Sequence, residues 1–266
     1  MGNTLKRFHI CACGFRKIFA NPRLYLSFLW FFLSIGYYMA KVKSFSVMMG
    51  IKASPWIFPL LIPDAMGQLF IIIGATLLFC DAPFMNETTI WQLVRAGRKN
   101  WFWGNMLYIW LLSLFYAVVL FLLPNFLLFP DVSWTSGWGQ ILGALAQSSA
   151  ASMLGIRSLN YSVMVQYTPF QAAGCVLLAV WLNTVLVGML NYVCNLGLKR
   201  GTGPLFSIVM GLSPYLIVRL ADFRIGYYLS PPAWMNISMY NWDGYGEFPS
   251  PTYIYTTLAA LLLILM

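Results

Sequence analysis

Long apolar runs alternate with short polar segments along most of this chain. Each run approaches the roughly 20 apolar residues that an α-helix needs to cross a bilayer, and the runs lack the strict alternation of membrane β-strands. The pattern therefore predicts an all-α integral membrane protein with six spans in one domain, residues 1–266. The predicted spans are 24–40, 56–79, 103–123, 169–196, 205–220 and 253–266. The last run stops within apolar sequence, so we expect the natural chain to continue past Met266.

The first 23 residues predict a helix that lies in the plane of the membrane surface. Leu5, Phe8, Ala12, Phe15 and Phe19 recur at spacings of 3, 4, 3 and 4, which places them on one helical stripe. Basic residues accompany the stripe, so we expect the helix at the cytoplasmic face. A disordered basic tail is the alternative, and the regular spacing disfavours it. The basic residues are Lys6, Arg7, Arg16, Lys17 and Arg23.

A second amphipathic segment, residues 81–103, lies between the second and third predicted spans. Asn86 is suited to cap a short helix here and Gly97 to end it. Aromatic residues at 101–103 then form a belt before the next span. We expect either a helix on which a soluble partner acts or an ordinary cytoplasmic loop with an interfacial helix. The helix would carry Ile90, Leu93 and Val94 on one face, Trp91 beside them, and the basic residues Arg95, Arg98 and Lys99.

Polar residues within the apolar runs supply further candidates. Asp64 lies in the second predicted span, where an ionisable group is a functional candidate, although a contact between a helix end and lipid headgroups fits it equally well. Thr184, Gly188, Asn191 and Asn195 share one stripe of the fourth predicted span. Small and amide side chains at this spacing are typical of a helix–helix interface, including one at a dimer interface. A solute pathway is the alternative.

Two longer segments between spans are expected on the outer side. Residues 130–168 contain a small, apolar middle, 141–154, which is too short to span and predicts an outer-surface or re-entrant helix. A full span there would invert the orientation of everything after it. Residues 222–251 are rich in aromatic residues and proline, and they precede the last predicted span.

Composition agrees with a membrane protein. Only 9% of the residues are charged and 60% are hydrophobic, whereas soluble domains carry about 25% charged residues. The net charge of +9 comes from basic residues beside apolar runs. Positive-inside orientation and contact with the lipid bilayer explain this charge better than nucleic acid does. We therefore expect a multi-pass protein of the cell membrane, most simply a bacterial plasma membrane, with a cytoplasmic N-terminus.

Motifs of catalysis and nucleotide binding are missing from the sequence. It contains no GxxxxGK[ST], HExxH or GxSxG, and its one histidine is His9. The five cysteines, Cys11, Cys13, Cys80, Cys175 and Cys194, form no CxxC pair that would favour a metal site. We therefore predict that the chain is not an enzyme and binds no cofactor or metal.

Three features together resemble the permease subunits of type-2 ATP-binding-cassette exporters with ABCG-like architecture. They are an interfacial helix before six spans, the inner segment FCDAPFMNETTIWQLVRAGRKNWFWGNML, and YLSPPAW before the last span. The resemblance implies that residues 4–20 form a connecting helix and that 222–251 form short outer helices. It implies that residues 83–100 form a coupling helix on an ATPase. The coupling residues would be Asn86, Glu87, Ile90, Trp91, Leu93, Val94, Arg95, Arg98 and Lys99.

The resemblance also implies partners and an energy source. Two copies of a separate ATPase subunit would hold ATP and Mg, and a second permease, identical or homologous, would complete the pathway. The substrate would be a lipid, a peptide or an antimicrobial compound. The runner-up hypothesis is a non-transport assembly or sensor protein that docks a soluble partner through 83–100. An ion-coupled transporter ranks third, because only Asp64 offers an intramembrane charge.

Overall fold

A computed structural model describes residues 2–85, 89–199, 201–220, 225–242 and 247–266. The helices are α1 (Asn3–Ile18), α2 (Pro22–Met49), α3 (Phe58–Leu61), α4 (Ala65–Phe79), α5 (Thr89–Ala96), α6 (Arg98–Leu128), α7 (Gln140–Gln147), α8 (Ala150–Met153), α9 (Tyr161–Gln166), α10 (Pro169–Gly197), α11 (Thr202–Arg219), α12 (Gly226–Leu229) and α13 (Pro251–Ile264). Two 3-10 turns, Pro231–Met235 and Ile237–Met239, precede α13. Within the described ranges, extended pairing is limited to one bridge between Ala53 and Val132. The all-α prediction is confirmed.

Two helices, α6 with 31 residues and α10 with 29, are long and apolar enough to cross a membrane. The pair α1 and α2 also passes this test together, although a bend of 68° separates the two helices. The apolar helices α4 and α13 are shorter, with 15 and 14 residues. By length and composition the described chain thus has two or three candidate spans, which is consistent with a membrane protein.

The helix predicted at 24–40 is longer than expected. Asn21 caps α2 by accepting a hydrogen bond from the Arg23 amide, and Pro22 stands at its first position, where it is tolerated. The helix ends only at Gly50, which adopts φ 64°. Lys41 and Lys43, which follow the predicted span, lie on α2. The Lys43 ammonium donates to the Phe129 carbonyl at 2.7 Å, so a contact with the end of α6 stabilises the extra turns.

The helix predicted at 56–79 is interrupted. α3 ends at Leu61 and α4 begins at Ala65, because Pro63 lacks an amide proton for a continuous helix. Asp64 caps α4 by accepting a hydrogen bond from the Gly67 amide at 3.2 Å. Asp64 therefore lies at a helix end, and its contact with lipid headgroups stays a prediction.

The helices α6 and α10 begin and end at different residues from those predicted. α6 begins five residues before the predicted span and continues through Pro124 to Leu128. Thr168 and Gln171 form a capping box at the start of α10. Between these helices, residues 130–168 form α7, α8 and α9, which have 8, 4 and 6 residues and are too short to span.

The core is a set of helices packed around α4 and α10. α4 packs against α2, α10 and α11, and α10 also packs against α6. Close approach is made possible by small residues: a Cβ on Gly74 would lie 2.2 Å from the Tyr116 hydroxyl, and one on Gly188 would lie 2.6 Å from Ile109. The Tyr116 hydroxyl donates to the Ile71 carbonyl at 3.1 Å, which satisfies this polar group in the core.

Segments from distant parts of the chain meet at two opposite ends of the helices. At one end, called the α5 end, Arg7 bonds to Asn100, and the Asn195 amide donates to Ala82. At the other, called the Asp64 end, segments 50–64, 130–168 and 226–242 contact one another. Hydrogen bonds join these segments. The Ala53 amide donates to the Asp131 carbonyl at 2.9 Å, and the Trp56 indole donates to the Thr135 carbonyl at 2.9 Å. The Tyr167 hydroxyl donates to the Ile237 carbonyl at 3.4 Å.

Candidate docking surface at the α5 end

α5 is a short helix set at an angle to α6. The single residue Gly97 separates them and adopts φ 81° and ψ 154°, a conformation that side-chain-bearing residues avoid. The prediction that Gly97 ends this helix is confirmed. On the other side of α5, the described chain stops at Met85 and resumes at Thr89, so the predicted cap Asn86 and the coupling candidate Glu87 lie outside the described residues.

The predicted apolar face of α5 is largely uncovered. Ile90, Trp91 and Val94 are 70%, 68% and 76% exposed. Leu93 is partly buried against the core, so it anchors the helix, whereas the other three face outward. Three exposed apolar side chains on one short helix form a patch typical of a partner or membrane contact. We call Ile90, Trp91 and Val94 the α5 patch.

Basic residues surround the α5 patch. Arg95, Arg98 and Lys99 are exposed beside it. A groove of about 510 Å³ separates α5 from α1 and is lined by Trp91 and Arg95 on one side and by Lys6 and His9 on the other. The surface is therefore apolar at its centre and cationic around it, which suits an occupant with an apolar contact and acidic flanks.

α1 is held firmly against α6. A Cβ on Gly14 would lie 2.8 Å from the Tyr108 ring, and one on Gly104 would lie 2.9 Å from Ile10. Phe15 packs edge-on against Tyr108 at 5.3 Å between ring centroids. These contacts bury one side of α1. Most of the predicted stripe lies on the other side, where Leu5, Phe8 and Phe19 are 56%, 62% and 50% exposed, and Phe15 is the member that turns inward.

Hydrogen bonds connect α1, α5 and α6 where the three helices meet. The Asn100 amide donates to the Ala96 carbonyl at the end of α5 at 2.9 Å, and its carbonyl oxygen accepts from Arg7 at 3.2 Å. The Arg7 guanidinium also lies 6.0 Å from the centroid of the Trp103 ring. Because Asn100 and Arg7 bridge three elements, a displacement of α5 would be transmitted to both α1 and α6.

A cavity of about 560 Å³ lies behind this junction, beside the C-terminal end of α4. Arg23 at the start of α2 forms an ion pair there with Asp81 and also contacts the Cys80 sulfur at 3.1 Å. Burial raises the pKa of the Cys80 thiol, and the Asp81 carboxylate raises it further, while Arg23 lowers it. The ion pair ties the start of α2 to the end of α4.

The polar stripe of α10 is packed within the chain. Thr184 and Asn191 are fully buried, and the Asn191 amide donates to Ser207 of α11 at 2.8 Å. Asn195 donates to the Cys80 and Ala82 carbonyls and accepts from the Gly201 and Gly203 amides. Gly188 admits Ile109 and Phe79. In this conformation the stripe joins helices of one chain. A role of these residues in a pathway or at a dimer interface stays a prediction.

Sequence reasoning missed the Arg23–Asp81 and Asp64–Arg157 ion pairs and the packing of Tyr108 against α1. Asp64 forms an ion pair with Arg157, which lies 93 residues away. A signal for this pair existed, because Asp64 is the first acid of the chain and Arg157 is the only base between Lys99 and Lys199. Tyr108 gave no such signal, since it is one aromatic residue in an aromatic-rich run.

The fold and surface define an α-helical protein with membrane-spanning candidates and an exposed, basic-flanked helix at one end. No protein-family model, curated protein or solved structure matches the chain. Its function is therefore proposed from the fold and from the surface formed by α1 and α5.

Proposed function

We propose that the chain is the membrane-spanning permease subunit of a type-2 ATP-binding-cassette exporter. The α5 patch would dock on a separate ATPase subunit, which holds ATP and Mg. Two ATPase copies and a second permease, identical or homologous, would complete the transporter. The substrate class remains the one that the sequence resemblance implies, namely a lipid, a peptide or an antimicrobial compound.

The observation that carries this proposal is the exposed apolar face of α5. Val94 at 76% exposure and Ile90 at 70% would be costly to leave in water, so a covering partner is expected. α6 is 31 residues long, or about 46 Å at the usual helical rise, which exceeds the roughly 30 Å hydrocarbon layer. Its first turns can therefore extend beyond the hydrocarbon, which would place α5 within reach of a soluble subunit.

The six-span arrangement forms part of the proposal. Its support is the grouping of the segments that connect the helices. Those predicted inside meet at the α5 end, and those predicted outside meet at the Asp64 end. α2, the broken pair α3 and α4, α6, α10, α11 and α13 would be the six traverses. The short helices and 3-10 turns at 226–239 would be the outer elements before the last span.

Force transmission would follow from the rigid joints of α5. Closure of two ATPase subunits would push α5, and the Asn100 and Arg7 bonds would carry the movement into α6 and α1. Packed helices respond to such a push by small rigid-body shifts between discrete arrangements. Two permeases could then alternate between inward- and outward-facing states.

The test is to isolate the chain from native membranes and identify what remains bound. The expected partner is an ATP-binding-cassette ATPase. The double substitution Ile90→Ser, Val94→Ser should lower its recovery at least about tenfold, because apolar residues at the centre of an interface contribute most of its affinity. The matched control is Leu5→Ser, Phe8→Ser, which removes two exposed apolar side chains from α1 and should leave the ATPase bound.

Two outcomes would contradict the proposal. Unchanged recovery of the ATPase with the α5 variant would show that the α5 patch is not its docking surface. Recovery of a different soluble protein that depends on the α5 patch would favour the runner-up, a membrane assembly or sensor protein.

A further inference from the structure

A second cleft, of about 570 Å³, lies at the Asp64 end, opposite the α5 end. Six separate parts of the chain enclose it: the middle of α2, the turn from α3 into α4, residues 157–160, the end of α11, the short helix α12 and residues 236–239. Among the described residues that line it, Asp64 and Arg157 are the charged ones, and they form an ion pair.

A charged ligand could take the place of the ion pair between Asp64 and Arg157. The Asp64 and Arg157 side chains are 44% and 64% exposed. An ion pair this accessible contributes little to stability, because water already solvates both charges. A ligand that offers a positive group to Asp64 and a negative group to Arg157 could therefore separate them at small cost.

Hydrogen bonds outside the ion pair hold the Asp64 carboxylate and the Arg157 backbone in place. One oxygen of the Asp64 carboxylate, Oδ2, accepts from the Gly67 amide at 3.2 Å, while the other, Oδ1, meets Arg157. The Arg157 carbonyl accepts from the Tyr38 hydroxyl at 3.1 Å, which holds the backbone under the guanidinium. Opening the pair would thus leave two opposite charges at one cleft, a carboxylate held by the Gly67 amide and a guanidinium whose backbone is held by Tyr38.

The rest of the cleft is mainly apolar and continues to the surface. Phe31 and Ile35 of α2 form its buried wall, together with Leu60 of α3. Met66 and Val218 also line it and are 45% and 56% exposed, so the apolar wall reaches an exposed apolar surface. An occupant could place a charged head at the ion pair and an apolar tail along this wall.

We propose that this cleft binds a zwitterionic amphiphile, a molecule with one ammonium group, one phosphate or carboxylate group and an apolar tail. Its ammonium would pair with Asp64 and its anionic group with Arg157. A ligand with only one sign of charge would be repelled by one partner of the pair, and a neutral ligand would leave the pair closed. This binding does not depend on the coupling role of α5.

The test uses the whole chain in detergent micelles and native mass spectrometry. The probes are phosphatidylethanolamine, which is zwitterionic, and phosphatidylglycerol of the same acyl chains, which is anionic. Wild-type protein should retain phosphatidylethanolamine preferentially. Asp64→Asn and Arg157→Gln should each lower this retention about three- to tenfold, as expected for loss of one hydrogen bond at a solvent-exposed site.

The substitutions are chosen so that folding is preserved. Asparagine caps helices as well as aspartate does, so Asp64→Asn should keep the start of α4 intact. The matched controls are Asp131→Asn and Lys52→Gln, which remove the same charges at this end of the molecule from residues that do not line the cleft. Both controls should retain phosphatidylethanolamine like the wild type, and all four variants should unfold at the wild-type temperature.

Free phosphoethanolamine separates a lipid from a soluble ligand. We expect it to bind more weakly than the lipid with the same headgroup, because it lacks the apolar tail. Equal binding of both would overturn the assignment of an amphiphile. Equal retention of the two lipids by the wild type, or full retention of phosphatidylethanolamine by Asp64→Asn and Arg157→Gln, would overturn the assignment of the cleft.

Discussion

Single polar residues determine how the helix ends of this protein meet. Asn195 uses both sides of its amide, since its nitrogen donates to two carbonyls after α4 and its oxygen accepts from two amides at the start of α11. Asp64 likewise uses one carboxylate oxygen as a helix cap and the other in an ion pair. Each residue thereby satisfies polar groups from two or three segments, which buried or half-buried helix ends require.

Substitutions of Asp81 and Arg23 should shift the pKa of the Cys80 thiol in opposite directions. Burial and Asp81 raise the pKa of this thiol and Arg23 lowers it, so the thiolate is scarce at neutral pH. Asp81→Asn should lower the pKa, and alkylation by iodoacetamide should then begin at lower pH. Arg23→Gln should raise it, and alkylation should require higher pH. The rate at the Cys80 peptide, followed by mass spectrometry across pH 6 to 10 or so, measures both.

Cys175 is the internal control for this measurement, because it lies on α10 and outside the cavity that contains the ion pair. Its alkylation profile should be the same in all three proteins. A shift of Cys80 in the same direction in both variants would contradict the assigned electrostatic roles.

Helix contacts in this protein depend on glycine at the points of closest approach. Gly188 of α10 admits Ile109 of α6 and Phe79 at the end of α4, so one missing side chain lets three helices meet. Gly14 and Gly104 do the same for α1 and α6. Close backbone approach of this kind is a usual source of helix association in membranes, where burial of apolar surface supplies little driving force.

Gly188→Ala should destabilise the helix packing. A Cβ there would lie 2.6 Å from Ile109 Cγ2 and 3.3 Å from the Phe79 ring, so both helices would have to shift. We expect a loss of about 1–3 kcal/mol in the free energy of unfolding. Gly174→Ala is the matched control on the same helix, because no atom lies within 4 Å of its Cβ position. Removing a flexible glycine there should stabilise the helix by up to about 1 kcal/mol.

Thermal unfolding of both variants in one detergent measures this difference. The melting temperature should fall for Gly188→Ala and should hold or rise for Gly174→Ala. Equal melting temperatures would mean that α10 is not packed as tightly on α6 as the structure has it.

For the molecule as a whole, features that depend on local sequence could be predicted better than contacts between residues far apart in the chain. Gly97 was predicted to end a helix and does so, because its backbone conformation is one that glycine adopts most easily. Pro63 carried a similar local signal, but the predicted span 56–79 ran through it and was wrong there. The extension of α2 through Lys43 could not be predicted, since it depends on the Phe129 carbonyl, 86 residues away. The same holds for the candidate sites: the amphipathic face of α5 could be predicted from spacing, whereas the Asp64–Arg157 cleft requires six segments to meet.

The proposed six-span arrangement requires Val94 and Trp134 to lie on opposite sides of the membrane. One continuous helix, α6, runs between them, and both side chains are accessible, at 76% and 82% exposure. In intact cells a membrane-impermeant maleimide should label Trp134→Cys but should label Val94→Cys only after permeabilisation. Peptide mass spectrometry distinguishes the new thiols from the native ones, and labelling of both after permeabilisation is the control for reactivity. Labelling of Val94→Cys in intact cells would contradict a cytoplasmic α5, and with it the proposed contact to an ATPase.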